Sequence, residues 1–256
     1  MKRTVRVLLV VATSMLPTLS AHAQDQPNQT LMLSVTNAVA STAGRDTRAF
    51  VVFEGERLEP RTGGGVSTGR VTTFVSTDIT ADPSPAFRSR QVEWLLDVLR
   101  PAAGSFSLAA GSGLRHEAGG ADVLMGRVVA QKVSERGRVE GDLLLEHPLG
   151  GHRDAVDLIT TVGWARRVSA RASVGVEGFA EDLEALWSPA EAEGGARLFV
   201  GPTVQFISGA PAWTVRTTVG ADVHPASLDV NRPSSAYRIG GTRTGWALRF
   251  SMTHGF

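Results

Sequence analysis

Residues 246–256 read WALRFSMTHGF, and this stretch decides the fold. Side chains in a β-strand alternate between two faces. One face of the stretch would carry Trp246, Leu248, Phe250, Met252, His254 and Phe256. The opposite face would carry Ala247, Arg249, Ser251, Thr253 and Gly255. This period-two alternation predicts a strand with one apolar and one polar face.

The same alternation recurs toward the N-terminus. It predicts further strands at 138–146, 156–164, 173–177, 197–206 and 213–224, and, with a noisier pattern, near 30–38, 46–56, 69–79, 89–99, 104–114 and 122–132. Pro202 lies inside one of these segments and indicates a bulge or kink, because proline cannot donate to a strand ladder. The total is about 12 strands, within a range of 10 to 14, and the pattern predicts an all-β antiparallel sheet.

Charged residues separate from apolar ones in these strands. The apolar faces contain almost no charge, and an arginine at mid-membrane would cost about 2–4 kcal/mol. Because a sheet in hydrocarbon must close on itself to pair its backbone, the pattern predicts an up-and-down transmembrane β-barrel with a polar lumen. The predicted lumen-facing residues are Glu93, Glu140, Asp142, Asp157, Glu177, Arg197, Arg216 and Arg249. Four further charged residues are predicted to face the lumen, namely Asp97, Arg70, Arg138 and Arg171. Negative and positive side chains are then expected to pair and to narrow the lumen.

A terminal strand of alternating residues that ends on an aromatic resembles the C-terminal signal of bacterial outer-membrane β-barrel proteins, a general porin-like class. The resemblance implies that the barrel assembly machinery recognises Phe250, Met252 and Phe256. It also implies outer-membrane lipid as a partner and the Gram-negative outer membrane as the location. His254 departs from the pattern, since an apolar residue is usual at that position.

The N-terminal residues predict export. Lys2, Arg3 and Arg6 precede an apolar core at 7–16, and an A-x-A cleavage site follows at 21–23. This order is that of a secretory signal peptide. The predicted organisation is a signal peptide at 1–23 and an outer-membrane barrel at 24–256. No later segment approaches the 18 uninterrupted apolar residues of a membrane-spanning helix.

The linkers between predicted strands alternate in length. Counted back from the last strand, long or medium linkers take turns with short ones, as in barrels with short periplasmic turns and longer outer loops. The linker 57–68, which contains Gly63-Gly64-Gly65, is the exception: it should be short and is not.

Composition excludes several functions. The mature chain would keep 23 of the 26 Lys+Arg and all 25 Asp+Glu, which argues against a nucleic-acid partner. There is no cysteine, and no glycine-rich phosphate loop follows the nucleotide-binding pattern. The sequence therefore predicts no cofactor and no metal.

Histidines offer the one catalytic hypothesis. His116, His147, His152 and His224 would lie at the outer ends of strands or in outer loops, near Glu117, Asp154 and Asp222. Neutral imidazole beside a carboxylate is a common general base. The alternative is a set of solvated loop histidines. The acidic segment 181–187, followed by Glu191 and Glu193, similarly indicates either a divalent-cation site or a short amphipathic helix in a loop.

Taken together, the residues predict an outer-membrane barrel that acts as a narrow pore or transport protein, or as a structural surface protein, without a catalytic site. The solute is not identified by the sequence. The alternative is an outer-membrane enzyme with a histidine–carboxylate site at the extracellular rim. A soluble periplasmic β-sandwich is the third hypothesis, in which the apolar faces would meet in a core.

Overall fold

The computed structural model describes residues 46–54, 59–80, 86–99, 106–118, 120–150, 156–181, 197–208, 213–223 and 245–255. The predicted signal peptide at 1–23 and the predicted strand at 30–38 lie outside these residues. Among the described residues no helix is long and apolar enough to cross a membrane.

The described part of the chain forms twelve strands. They are β1 (Asp46–Glu54), β2 (Glu59–Thr68), β3 (Val71–Thr80), β4 (Ala86–Leu99), β5 (Phe106–Glu117), β6 (Asp122–Val133), β7 (Gly137–Pro148), β8 (Asp157–Arg167), β9 (Ala172–Glu181), β10 (Arg197–Ile207), β11 (Trp213–Val223) and β12 (Gly245–Gly255). Most are 10–12 residues long, close to the length that a tilted strand needs to cross a bilayer.

The strands form one closed antiparallel barrel in which each strand pairs with its neighbours in sequence. Closure joins the two ends of the sheet: β1 pairs with β12 from Arg48 opposite Gly255 to Phe53 opposite Phe250. The predicted all-β, up-and-down barrel of about 12 strands is confirmed. The β-sandwich hypothesis is wrong, because the described strands all belong to a single closed sheet and include no second sheet for an apolar face to pack against.

The predicted linker 57–68 is wrong. Most of it is strand β2, which pairs with β1 and with β3 along its length. Three consecutive glycines weaken strand propensity, but Gly65 has a packing reason: a Cβ at this position would collide with the ring of Phe74 on β3. The turn that follows is tight, with Gly69 at φ 62°, a conformation that glycine adopts without strain.

Pro202 does not produce a bulge. Val200 pairs with Ala221 and Thr203 pairs with Thr218, so the register between β10 and β11 is the same on both sides of the proline. The register shifts lie instead at Asp78/Ile79 between β3 and β4 and at Asp97/Leu99 between β4 and β5.

The connections differ in length at the two ends of the barrel. At one end, here called the short-turn end, the segments between strands are 69–70, 100–105, 134–136, 168–171 and 208–212. At the other, the long-loop end, they are 55–58, 81–85, 118–121, 149–156, 182–196 and 224–244. This alternation of short turns with longer loops is the pattern expected of an up-and-down barrel that spans a membrane.

Burial alternates along the strands in the way that a membrane barrel requires. In β8, Ile159, Thr161 and Ala165 are buried, whereas Val162 and Trp164 are 58% and 51% exposed. The exposed set over the described strands is rich in valine and leucine, and the buried set contains most of the described carboxylates. The apolar face therefore points outward and the polar face points into the lumen, the arrangement of a sheet in hydrocarbon.

Two valines with equal exposure test this arrangement. Val162 lies in the middle of β8 and Val168 lies in the turn after it, and each is 58% exposed. We expect Val162→Arg to lower the free energy of unfolding by about 2–4 kcal/mol, because the charge enters hydrocarbon, and Val168→Arg to change it little. Denaturant titration of each variant refolded into liposomes measures both values. Equal effects of the two substitutions would contradict an outward lipid-facing band.

Candidate functional site: the charged lumen

The inward faces of the strands carry charge that is almost completely shielded from solvent. The charged residues described as buried are each less than a tenth exposed. The described buried charged residues are Asp78, Glu93, Asp97, Arg115, Glu117, Arg127, Arg138, Glu140, Asp142, Glu146, Glu177, Glu181, Arg216 and Arg249. Buried charges persist only when they are paired and hydrogen-bonded, so their partners define the site.

Arg127 joins three strands in the middle of the lumen. From β6, its Nη1 donates to Glu93 Oε2 on β4 at 2.9 Å, and its Nε donates to Asp142 Oδ1 on β7 at 2.9 Å. The guanidinium group is thus shared between two carboxylates. Such charge-assisted contacts are stronger than neutral hydrogen bonds.

The bridge from β6 to β4 must pass over β5, and Gly113 makes room for it. This glycine is opposite Glu93 in the register of β4 and β5 and opposite Met125 in that of β5 and β6. A Cβ at Gly113 would lie 2.5 Å from the backbone oxygen of Val92, 2.7 Å from Glu93 Cγ and 2.8 Å from Met125 Cε. The absence of a side chain on β5 therefore allows charges on non-adjacent strands to meet.

Nearer the long-loop end, Arg115 holds a second pair of carboxylates. It donates to Glu117 Oε1 through Nη2 at 2.9 Å, and to Glu146 through both terminal nitrogens, with Nη2 to Oε2 at 2.6 Å. Glu146 lies on β7, so this arginine again bridges over the intervening strand β6.

Glu177 is the centre of a third cluster, which spans β9 to β12. Its carboxylate accepts from Arg249 Nη1 and, at 3.0 Å, from Thr218 Oγ1, and Arg216 Nη2 lies 2.6 Å from its Oε2. The guanidinium carbon of Arg249 also lies 5.2 Å from the ring centroid of Phe179, within range of a cation–π interaction. One carboxylate on β9 thus holds groups from β11 and β12.

Toward the short-turn end, Arg138 on β7 reaches Gln205 on β10. Its Nη2 donates to Gln205 Oε1. Glu140 Oε1 is farther from its neighbours, 4.0 Å from Arg138 Nε and 3.9 Å from Arg216 Nη1. Arg138 Nε, Glu140 Oε1 and Gln205 Nε2 are buried without a hydrogen-bond partner. This is the least satisfied part of the described lumen.

The described lumen carries an excess of negative charge. Nine buried residues are aspartate or glutamate and five are arginine, which leaves four formal negative charges over. Surplus carboxylates between low-dielectric walls attract cations and repel anions.

Most residues predicted to face the lumen lie there. Glu93, Glu140, Asp142, Glu177, Arg216 and Arg249 are buried on the inward face. Asp157 is half-buried at the start of β8, and Arg197 begins β10 opposite Glu181, its side chain not described. Arg70 and Arg171 are not lumen residues: both lie exposed in turns at the short-turn end, because the strands stop before them.

Two central arginines, Arg115 and Arg127, were not predicted. The strand pattern near 104–114 ended one residue before Arg115, and β5 continues to Glu117. Arg127 lay inside a predicted strand. Its inward-facing neighbours Met125 and Val129 are apolar, so this face of the strand does not look polar in the sequence. Counting alternate positions within β6 places Arg127 on the same face as Met125 and Val129.

The described residues do not bring the histidines together into the predicted histidine–carboxylate site. His116 faces outward and pairs with Asp122, Nδ1 to Oδ1 2.7 Å, with both side chains more than half exposed. Glu117, its neighbour in sequence, faces inward to Arg115. His147 is exposed, and His152 and His224 lie outside the described residues. The described part of the chain contains no group of three or more His, Cys, Asp or Glu that could hold a metal ion.

The structure describes only part of the predicted assembly signal and of the predicted acidic segment. Phe250 and Met252 lie on β12, opposite Thr217 and Val215 of β11, and both are half-buried; Phe256 is outside the described residues. Of the acidic segment 181–187, Glu181 ends β9 and is buried, and the rest is outside the described residues.

A closed twelve-stranded barrel with an apolar outside and a charged inside has the architecture of the transmembrane β-barrels of bacterial outer membranes. Solved structures with this fold include the NanC porin, at a TM-score of 0.51 and 9% identity, covering 82% of this chain and 99% of that one. The KdgM porin in complex with disordered oligogalacturonate has a TM-score of 0.50, with the same identity and coverage. OmpT of Vibrio cholerae, an outer-membrane protein, covers 83% of this chain at a TM-score of 0.40 and 8% identity.

No protein-family model matches the chain, and no curated protein matches it. The comparisons therefore establish the fold, that of bacterial outer-membrane barrels.

Removing the central carboxylate of the third cluster tests whether the network holds the barrel together. We expect Glu177→Gln to lower the free energy of unfolding by about 3–5 kcal/mol, because two buried guanidinium groups lose their counter-charge. Asp122→Asn is the matched control: its ion pair with His116 is exposed, and we expect a loss below about 1 kcal/mol. Denaturant titration in liposomes compares them, and a small loss for Glu177→Gln would show that the network is dispensable for stability.

A pair of glycines tests the passage over β5. Gly113 faces Glu93 in the lumen, whereas nothing lies within 4 Å of a Cβ at Gly126, on the adjacent strand. We expect Gly113→Ala to destabilise the barrel by about 1–3 kcal/mol through overpacking, and Gly126→Ala to be neutral or slightly stabilising. The shift in unfolding midpoint measures both, and tolerance of alanine at Gly113 would argue that the bridge above it is loose.

Proposed function

We propose that this chain forms a narrow outer-membrane pore that admits small solutes and prefers cations. The observation that carries the proposal is the excess of four formal negative charges among the described buried residues of the lumen. Rings of carboxylates select cations in other channels by the same electrostatic principle. Permeation, and not catalysis, is the activity that this arrangement supports.

The width of the proposed pore follows from how the lumen is filled. Arginine side chains extend from one strand to partners two or three strands away, and the charged residues they join are nearly inaccessible to solvent. A lumen crossed in this way supports passage of small ions and small polar solutes, and opposes passage of large ones. The ion-pair clusters would then form the constriction.

The charge of the lumen also bears on the solute class. The KdgM porin forms a complex with oligogalacturonate, a polyanion, but the likeness of this chain to that porin is one of fold. A lumen with surplus carboxylates repels polyanions. We therefore propose cations and small neutral molecules as the solutes of this barrel.

We further propose that the barrel assembly machinery inserts the chain through β12, and that outer-membrane lipid surrounds the barrel.

Conductance in a planar bilayer under a potassium chloride gradient tests the proposal. We expect small steps whose reversal potential shows cation preference. Glu140→Gln removes one lumen charge that makes only long contacts, so we expect it to lower the potassium-to-chloride permeability ratio. Asp122→Asn, at the exposed rim, should leave that ratio unchanged.

Three results would reject the proposal. Anion preference would contradict the role of the carboxylates. Large, stable steps would contradict a narrow lumen. Silence from protein that is folded and inserted, as judged by its heat-modifiable mobility on a gel, would mean that the lumen is closed and that the barrel has a structural role.

A further inference from the structure

Exposed basic residues gather at the short-turn end of the barrel between β6 and β9. Lys132 lies near the end of β6, Arg136 in the turn before β7, Arg166 near the end of β8 and Arg171 in the turn before β9. We call these four residues the basic girdle. None of them forms an ion pair with a described residue. Glu135 is the one carboxylate in residues 132–137 and 164–172, so the surface carries a clear positive excess.

The register places the basic girdle directly beside the apolar outer surface. Lys132 is opposite Val139, and Val139 is opposite Trp164, so the three form one row across β6, β7 and β8. Val139 and Trp164 are 55% and 51% exposed. Arg166 shares the outward face with Trp164, one step nearer the short-turn end. The basic charge therefore begins where the apolar band stops.

Gly137 keeps the middle of this surface free of a side chain. It is opposite Arg166 in the register of β7 and β8 and follows Arg136 in the turn. The backbones of β7 and β8 approach closely here, and a Cβ at this position would collide with the carbonyl oxygen of Ala165. No side chain of β7 therefore separates Arg136 from Arg166, and an anionic group can approach both of them together with Lys132.

The chemistry of this surface matches an amphiphile that carries a phosphate. Tryptophan is enriched where hydrocarbon meets water. Arginine and lysine bind phosphate oxygens through charge-assisted hydrogen bonds. A molecule with acyl chains along Val139 and Trp164 and a phosphate at the basic girdle would satisfy both parts of the surface. A soluble acidic protein would contact the basic part alone.

We propose that the basic girdle binds the phosphate headgroup of an anionic phospholipid in the leaflet at the short-turn end of the barrel. This goes beyond the proposed pore function and does not depend on it, because the girdle lies on the outside of the barrel. Binding would fix the depth of β6 to β9 in the bilayer and supply the counter-charge that the described residues do not.

Native mass spectrometry of the refolded full chain tests the proposal. The protein is released from mixed micelles with equal amounts of phosphatidylglycerol and phosphatidylcholine, and the retained lipids are counted. We expect the wild-type protein to retain phosphatidylglycerol preferentially. The triple variant Lys132→Gln, Arg136→Gln, Arg166→Gln should lower that preference by about tenfold or more, since each basic residue near an anionic surface contributes on the order of fivefold.

Matched variants make the result decisive. Arg90→Gln removes an exposed charge at the opposite end of the barrel and should leave the preference unchanged. The charge-conserving Lys132→Arg with Arg166→Lys should retain most of it. If the triple variant does not refold, the single substitutions Lys132→Gln and Arg166→Gln are each expected to lower the preference severalfold. Equal retention of the two lipids by wild-type protein, an unchanged preference in the glutamine variants, or an equal loss with Arg90→Gln would overturn the proposal.

Discussion

Closure of the sheet is the constraint on which the rest of this structure depends. In hydrocarbon no water can satisfy a free backbone N–H or C=O group, so the first strand must pair with the last. The pairing of β1 with β12 meets that demand. In a closed sheet, each strand side chain faces either the lipid or the lumen. Most of the described valines and leucines face the lipid, together with Trp94 and Trp164, and the charged residues of the strands must be accommodated in the lumen.

In two places, a small residue lies between the charged residues that meet across the lumen. Neighbouring strands in a barrel are about 4.8 Å apart, so an arginine that reaches a carboxylate two strands away must cross the strand between. Gly113 on β5 lies under the contact between Arg127 and Glu93. Between Glu177 on β9 and Thr218 on β11, the β10 residue opposite Glu177 is Gly201. At Gly113 and Gly201 the absence of a side chain on the intervening strand leaves room for a long polar side chain to pass.

The architecture and most of the lumen-facing residues could be predicted from the sequence, because both follow from the period of two in a β-strand. Glu140, Asp142, Glu177, Arg216 and Arg249 were placed inside by counting alternate positions, and they are buried. The pairing among them was not readable, because which arginine meets which carboxylate depends on strand register and on the number of strands crossed. Arg138 and Gln205 are 67 residues apart, and nothing local in either segment indicates the other. Arg70 and Arg171 were misplaced for a different reason: strand ends are set by hairpin geometry, and alternation continues to assign faces to residues that already lie in a turn.

Strand β2 shows how two weak signals combine into a strong one. An antiparallel sheet that closes must contain an even number of strands, since otherwise the first and last would run parallel. A linker at 57–68 gives an even total only if a strand at 30–38 is counted, and it places a long connection at the end where all others are short. A strand at 59–68 removes that exception: 55–58 becomes a connection at the long-loop end, and the turn at 69–70 becomes the shortest at the short-turn end.

Closure adds a second condition. Because β1 pairs with β12, the even number of strands and the loop lengths together require a strand between β1 and β3, even though three consecutive glycines argue against one locally. The global condition of closure outweighs local propensity here, as expected when the unpaired alternative would expose a row of backbone groups to lipid.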